Sequence, residues 1–227
     1  MRTETPWSTV FELLAETGWE TLYMVALSAV FALIGGLPLG VLLHVTAPGG
    51  LRPQVFTHRV LNFVVDVGRS LPFVILLIAL LPVTRSIVGT TLGSTAAVVP
   101  LTVGAIPFLA RLVEGALREV DTSVVEAAIT TGATKPHIVR GVLLREAAPA
   151  LVAGIGVTVI ALIGYSAMAG VVGGGGLGDL AIRYGYQRFD TRVLISTVVV
   201  LGVFARLVQF LFDLGARGID RRRRVTA

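Results

Sequence analysis

Cysteine is absent from the 227 residues, so no disulfide framework, thiolate nucleophile or Cys-based metal site can be built, and the redox compartment is unreadable. Charge is scarce too, at 15% of residues, where ordinary soluble domains carry roughly a quarter. Lysine occurs once, as Lys135 followed by Pro136, so the chain lacks the lysine that follows the glycines of a phosphate-cradling loop and is not itself a P-loop ATPase. The histidines, His44, His58 and His137, are scattered without carboxylates at ligand spacing, which argues against zinc. Residues 164–168, GYSAM, approach a nucleophile elbow but lack its final glycine and any preceding strand. Gly173, Gly175 and Gly178 satisfy G-x-G-x-x-G, yet they follow an apolar helix rather than a strand, so a dinucleotide reading fails. No internal repeat or low-complexity linker is visible, and no metal or catalytic group is expected.

What the chain has in abundance is apolar surface. Residues of the set AVILMFWYC make up 54% and mean hydropathy is +0.84, more than one core of this size can hide. A lipid bilayer is the medium that would receive the remainder. Residues 21–43 are 23 positions without a charge, about 34 Å as a helix. Further spans are expected at 60–84, interrupted by Asp66 and Arg69, and at 94–113, 147–164 and 193–212, the last holding Arg206. The expected class is all-α, a single polytopic membrane domain over 1–227 with five transmembrane helices. Pro38, Pro72, Pro100 and Pro107 are expected to kink their helices.

The basic residues set the orientation, because cytoplasmic loops retain positive charge. One side would collect five, Arg2, Arg85, Arg183, Arg188 and Arg192. The other would hold thirteen, including Arg52, Arg59, Arg69, Arg111, Arg118, Lys135, Arg140, Arg145, Arg217 and the four arginines 221–224. The N-terminus is therefore expected outside and the C-terminus in the cytoplasm. Trp7, Trp19, Tyr23, Tyr184, Tyr186 and Phe189 suit an outer aromatic belt. Glu4, Glu12, Glu16 and Glu20 before the first span argue against a cleaved signal peptide.

Two segments stand out. Between spans three and four, Ser123 and Glu126 have the spacing of a capping box, Ala127, Ala128 and Ile129 continue a short helix, and Gly132 can end it in the left-handed conformation. Thr134 can then cap a second helix that tolerates Pro136 in its first turn. The spacing predicts a short cytoplasmic helix at about 121–132, with Val124, Val125, Ala128 and Ile129 as its apolar residues. On spacing alone, Glu126 is equally a plain cap and the segment a plain re-entry turn. The second segment, 165–178, is apolar surplus after span four and holds six glycines among the nine residues 170–178. Each glycine costs a helix about 1 kcal/mol relative to alanine. Non-helical backbone at membrane depth is tolerated where it is buried or lines a wet cavity, so a permeation path and a flexible outer turn both remain open. Tyr165, Ser166 and Met168 precede the glycines with an aromatic face, a hydroxyl and a thioether. Asp66 and Arg69, three apart, can pair on one helix face or take part in gating, and Arg206 and Asp213 also share a face.

The run VEAAITTGATKPHIVRGVLL resembles the EAA loop of permease subunits of ABC importers, Glu-Ala-Ala, three residues, Gly, then an apolar run. In that family the short helix docks into a groove of a cytoplasmic ATPase. The resemblance assigns coupling to Glu126, Ala127, Ala128 and Gly132; many members have Leu-Pro where this chain has Leu144 and Arg145. GRSLPFVILLIALLPVTRSIVGTTLG, VPLTVGAIPFLARLVEGAL and GYSAMAGVVGGGGLGDLAIRYGYQRF are similar to permeases of methionine importers, over about 21–213. The resemblance implies a multi-pass subunit of the cytoplasmic (inner) membrane without an active site of its own, moving D- and L-methionine and close derivatives by alternating access. It also implies a second copy as homodimer partner, a cytoplasmic ABC ATPase dimer carrying ATP and Mg, and an extracytoplasmic solute-binding protein; no nucleic acid is expected. Tyr165, Ser166 and Met168 would line the translocation pathway, with Gly170, Gly173, Gly174, Gly175 and Gly176 as candidate gate. Another small solute is the alternative, and a stand-alone ion-coupled transporter a more distant one, since five spans without matching halves do not make an inverted repeat.

Overall fold

In the computed structural model, which describes residues 5–219, helix follows helix and no strand occurs among the described residues. Four helices are long and apolar enough to cross a membrane: α1 (Trp7–Thr46), α5 (Ser94–Arg118), α9 (Ala148–Val171) and α11 (Thr191–Ile219). A fifth crossing exists if α2 (Val55–Ser70) and α3 (Phe73–Ala79) count as one. The expected all-helical membrane architecture is thus what the chain adopts. The expected single helix at 60–84 is not. Its two parts bend by 104° at Leu71 and Pro72, because proline offers no N–H and disfavours a helical residue before it. A further short helix, α4 (Leu81–Val88), ends at Gly89, whose φ is +83°. Pro38, Pro100 and Pro107 all lie within unbroken helices.

Two more expected boundaries shift. Helix α1 runs for 40 residues, about 60 Å at the usual rise and twice the hydrocarbon thickness, and begins at Trp7 rather than near residue 21. Helix α9 does not stop at Gly164 but continues to Val171, so Tyr165, Ser166 and Met168 are helical. The glycine break itself is confined to 172–175, after which α10 (Gly176–Leu180) and a π turn (Ala181–Tyr186) lead to α11.

The chain forms two compact units. The first comprises, among the described residues, 5–32, 71–105 and 158–208. Its apolar centre includes Val10, Leu177, Leu180 and Val193. Its N-terminal stretch is tied down by Asp190, the residue before α11, which accepts from the Thr5 amide and hydroxyl at 2.9 and 2.6 Å and from the Arg192 and Val193 amides at 3.1 and 3.2 Å. The second unit comprises, among the described residues, 33–70, 106–157 and 209–219, with Leu109, Val113, Leu117, Leu143 and Leu151 in its core. There α1 and α5 approach closely. A Cβ on Gly36 would lie 3.0 Å from the Ile106 carbonyl oxygen, and one on Gly40 2.5 Å from that of Ala110. Gly36 and Gly40 have the small-xxx-small spacing that lets membrane helices touch backbone to backbone.

Candidate functional site

The predicted short helix exists as α6 (Thr122–Thr130), three residues after α5. Its cap is not the expected one. Asp121, with ψ at 124°, accepts from the Ser123 amide at 2.9 Å, which places Ser123 inside the first turn instead of before it. At the other end the sequence reading holds. Gly132 has φ at +81°, the Gly132 amide donates to Ile129 O at 3.0 Å, and the Ala133 amide donates to Ala128 O at 3.1 Å. Those paired bonds are the Schellman closure of a helix. No residue of α6 is buried: Glu126 and Ala127 are exposed, Ala128 half-buried, and Val124 and Ile129 are 37% and 52% exposed. Val125 alone of its apolar residues packs on the core of the second unit. A nine-residue helix too short to be stable alone therefore presents apolar side chains outward.

Beyond Gly132, Thr134 precedes α7 (Lys135–His137) with extended backbone but no side-chain cap, and Pro136 sits in the first turn. A π turn (Ile138–Leu143), packed against α6, and α8 (Leu144–Glu146) carry the chain to α9. Arg145 thus lies in a helical turn and helps line an open cleft of about 710 Å³ with Glu119, Val120, Glu146 and Ile219.

In the first unit the pathway candidates are dispersed around α9. Tyr165 is half-buried and stacks on Phe73 at 4.5 Å with 7° between planes. Met168, one turn on, is 44% exposed. Ser166 is buried, and its hydroxyl donates to Ile163 O at 2.8 Å within the same helix. The glycines divide into two kinds. At Gly170 a Cβ would lie 2.2 Å from the Asp179 amide nitrogen, and at Gly178 one would lie 2.3 Å from Ala167 O, so their bareness is what lets α9 and α10 touch. Gly173, Gly175 and Gly176 have φ of +85°, +75° and +76° and make the turn itself. Gly174 is buried, and its amide donates to Ala169 O at 2.9 Å.

A residue that sequence reasoning missed holds this turn. The Glu20 carboxylate accepts from the Gly176 amide at 2.6 Å, and the neighbouring Thr21 hydroxyl accepts from the Leu177 amide at 2.8 Å while donating to Thr17 O. The Gly93 amide also donates to Gly173 O at 2.8 Å. The glycine break is thus backbone satisfied by specific partners. Its only sequence signal was that Glu20, the last of the acids before the first span, stands at the edge of an uncharged run.

The second missed feature is a charge cluster. Glu114 on α5, 2% exposed at its side chain, pairs with Arg111 at 2.5 Å and with Arg118. Arg111 also reaches Asp66 of α2 at 2.6 Å, so Asp66 pairs across 45 residues rather than with the expected Arg69. Asp213, on the face it shares with Arg206, accepts from Gln209 at 2.7 Å, one turn away. On the aromatic side, Arg192 lies 4.8 Å from the Trp7 ring centroid and Arg188 4.3 Å from that of Tyr184, while Tyr186 and Phe189 are exposed.

Likeness to known proteins is strong over nearly the whole chain. A probable D-methionine transport system permease protein of Vibrio cholerae serotype O1 is 51% identical over 211 residues, 93% of this chain and 94% of the relative. The D-methionine transport system permease protein of Escherichia coli strain K12 is 51% identical over 158 residues, 70% and 73% of the two chains. A solved inward-facing conformation of the MetNI methionine ABC transporter superposes with a TM-score of 0.92 at 47% identity, covering 93% of this chain and 98% of that one. The family model described as "Binding-protein-dependent transport system inner membrane component" matches residues 36–225, which include the last quarter of α1, α6 and the glycine break, and the chain belongs to that family.

Proposed function

We propose that this chain is the membrane-spanning subunit of an ATP-driven importer that carries methionine, in both enantiomeric forms and with close derivatives, across the cytoplasmic membrane by alternating access. The observation that carries the reading is α6, a short capped helix that leaves Val124, Glu126, Ala127 and Ile129 exposed, in a chain whose relatives at about half identity are methionine permeases. Glu126, Ala127, Ala128 and Gly132 form the coupling element, docking on a separate ATPase dimer that binds ATP and Mg and hydrolyses the nucleotide. Two copies of the chain enclose the path, and an extracytoplasmic binding protein delivers the solute. The large exposed apolar side chains of α11, among them Ile195, Val199, Val203 and Phe210, suit a lipid or second-copy environment.

For the path we place the Tyr165 ring and the Met168 thioether on one side of α9, three residues apart, with Ser166 behind them. A zwitterion with an apolar tail suits such walls better than a multiply charged ion, which would want fixed counter-charges. The glycine turn at 173–176, latched by Glu20, is the gate candidate, and Gly170 is its packing base.

The test is a complex reconstituted in vesicles with labelled methionine. ATP-dependent accumulation is expected, reduced by Met168→Ala and by Tyr165→Ala without loss of ATPase assembly. Robust ATP-driven uptake of another amino acid and none of methionine would overturn the substrate while keeping the importer. Orientation is tested separately, since the chain has no native cysteine. A cysteine at Trp19 should be blocked by an impermeant reagent from outside, and one at Thr130 only from the cytoplasm.

A further inference from the structure

Glu114, Arg111, Arg118 and Asp66 carry two charges of each sign, and their arrangement is asymmetric. The Glu114 carboxylate is almost wholly buried on α5 and held by two arginines of the same helix, one turn to either side. Arg118 is itself 70% exposed, but leaving the buried Glu114 carboxylate without a counter-charge is strongly destabilising, so Glu114 keeps Arg111 as its partner. Asp66 is 60% exposed, and the Arg111 side chain 25%. A pair reaching into water at one end is worth little and is cheaply broken. When Asp66 lets go, Arg111 remains neutralised by Glu114 and no buried charge is stranded. Of the cluster's three pairs, the two on Glu114 lie within α5 and keep a buried carboxylate neutralised, and the third, which is releasable, joins α2 to α5.

Its place in the chain gives that bond a mechanical role. Helix α5 leads to α6 through Glu119, Val120 and Asp121, so displacement of α6 acts directly on the end of α5 that carries Arg118, Glu114 and Arg111. Helix α2 lies along the same stretch. Val65 packs with Ala110 and Leu43, and a Cβ on Gly68 would lie 2.9 Å from Pro107. Just past Gly68, α2 ends at the 104° bend into α3, which carries Phe73, the stacking partner of Tyr165. Along the chain, the tie thus stands between the element proposed to meet the ATPase and the helix break that precedes the path.

We propose that Arg111 is a positioning residue for energy coupling, and that its bond to Asp66 is a releasable tie that makes α2 follow α5 in one state of the transport cycle and frees it in the other. The proposal rests on the reading of α6 as the coupling helix. Its test compares wild type, Asp66→Asn, Asp66→Glu, Asp66→Arg and Arg69→Gln in the reconstituted permease–ATPase complex, measuring ATP hydrolysis, methionine uptake and the melting temperature of each. Uptake per ATP should fall about 1.5- to 5-fold in Asp66→Asn, the range expected for losing one exposed ion pair. It should fall further in Asp66→Arg and recover in Asp66→Glu, while Arg69→Gln, on the same helix, should match wild type. Melting temperatures should stay together, because only the exposed partner is altered. Equal uptake per ATP in Asp66→Asn and Arg69→Gln, or loss in Asp66→Glu as large as in Asp66→Asn, would overturn the tie. A wild-type complex without ATP-driven uptake would overturn the coupling-helix reading and the tie together.

Discussion

Gly132 offers a substitution series in which backbone strain is isolated from packing. Its φ is +81°, and a Cβ built there would meet no atom within 4 Å, so a side chain is opposed by the left-handed conformation alone. For an ordinary L-residue that conformation costs about 1–2 kcal/mol, less for asparagine and more for a β-branched residue. If the strained state were abandoned, the bonds from Gly132 to Ile129 O and from Ala133 to Ala128 O would be lost, and α6 would leave its present direction. A cost of 1–2 kcal/mol lowers the population of the competent arrangement by about 5- to 30-fold, and apparent affinity for the docking partner falls by the same factor. The expected order of apparent affinity for the ATPase is Gly132, then Gly132→Asn, Gly132→Ala and Gly132→Val, with Val weaker than wild type by about 30-fold or more. Titration of vesicle-embedded subunit with ATPase, read by stimulated uptake, measures it, and a raised ATPase concentration should restore uptake. Equal affinity for all four, or a Gly132→Val defect that excess ATPase leaves unchanged, would refute the strain argument.

Removing the Glu20 carboxylate by Glu20→Ala should raise hydrogen exchange at the Gly176 amide about tenfold or more, given about 1.5–3 kcal/mol for a charge-assisted hydrogen bond; unchanged protection would mean the 2.6 Å contact does not hold the turn. Gly170→Ala should lower the melting temperature through overpacking, about 1–3 kcal/mol, because the new methyl meets backbone at 2.2 Å, whereas Gly164→Ala, with nothing within 4 Å, should be neutral or stabilising; the reverse order would contradict the packing. At Asp190 burial pushes the carboxyl up, but bonds from the Thr5 hydroxyl and the Thr5, Val193 and Arg192 amides outweigh it, leaving its pKa below the usual carboxylate value. A depressed folded pKa gives stability that is fully present above the unfolded value near 3.9 and is lost as pH falls through the folded one. Trp7 fluorescence in a Trp19→Phe background should therefore stay constant from neutral pH to about 4 and change below it, and Asp190→Asn should abolish that acid step.

How far the sequence reached followed from how local each signal was. Helix α6 was legible because its ending is written within a few residues: Gly132 follows directly on the run VVEAAITT, and having no Cβ it can take the positive φ that closes the helix. Its start was misplaced because Asp121 and Ser123 are both good caps two positions apart, and spacing cannot choose between them; Asp121 wins by accepting the Ser123 amide. The length of α1 was hidden because charge counts find where lipid begins, while helix continues in water as readily, through Trp7 to Glu20. In α9 the glycine tally blurred the break over a dozen residues. Gly170 is helical despite its propensity, since contact with Gly178 and Asp179 compensates, and the turn falls only where three positive φ angles gather. The pairing of Arg111 with Asp66 was out of reach altogether. Sequence spacing offers a partner on the same helix, three or four residues away, and for Asp66 that was Arg69. What redirects Asp66 is the close approach of α2 to α5, which Gly68 permits by leaving room for Pro107, and a small residue's missing atoms name no partner until the fold supplies one.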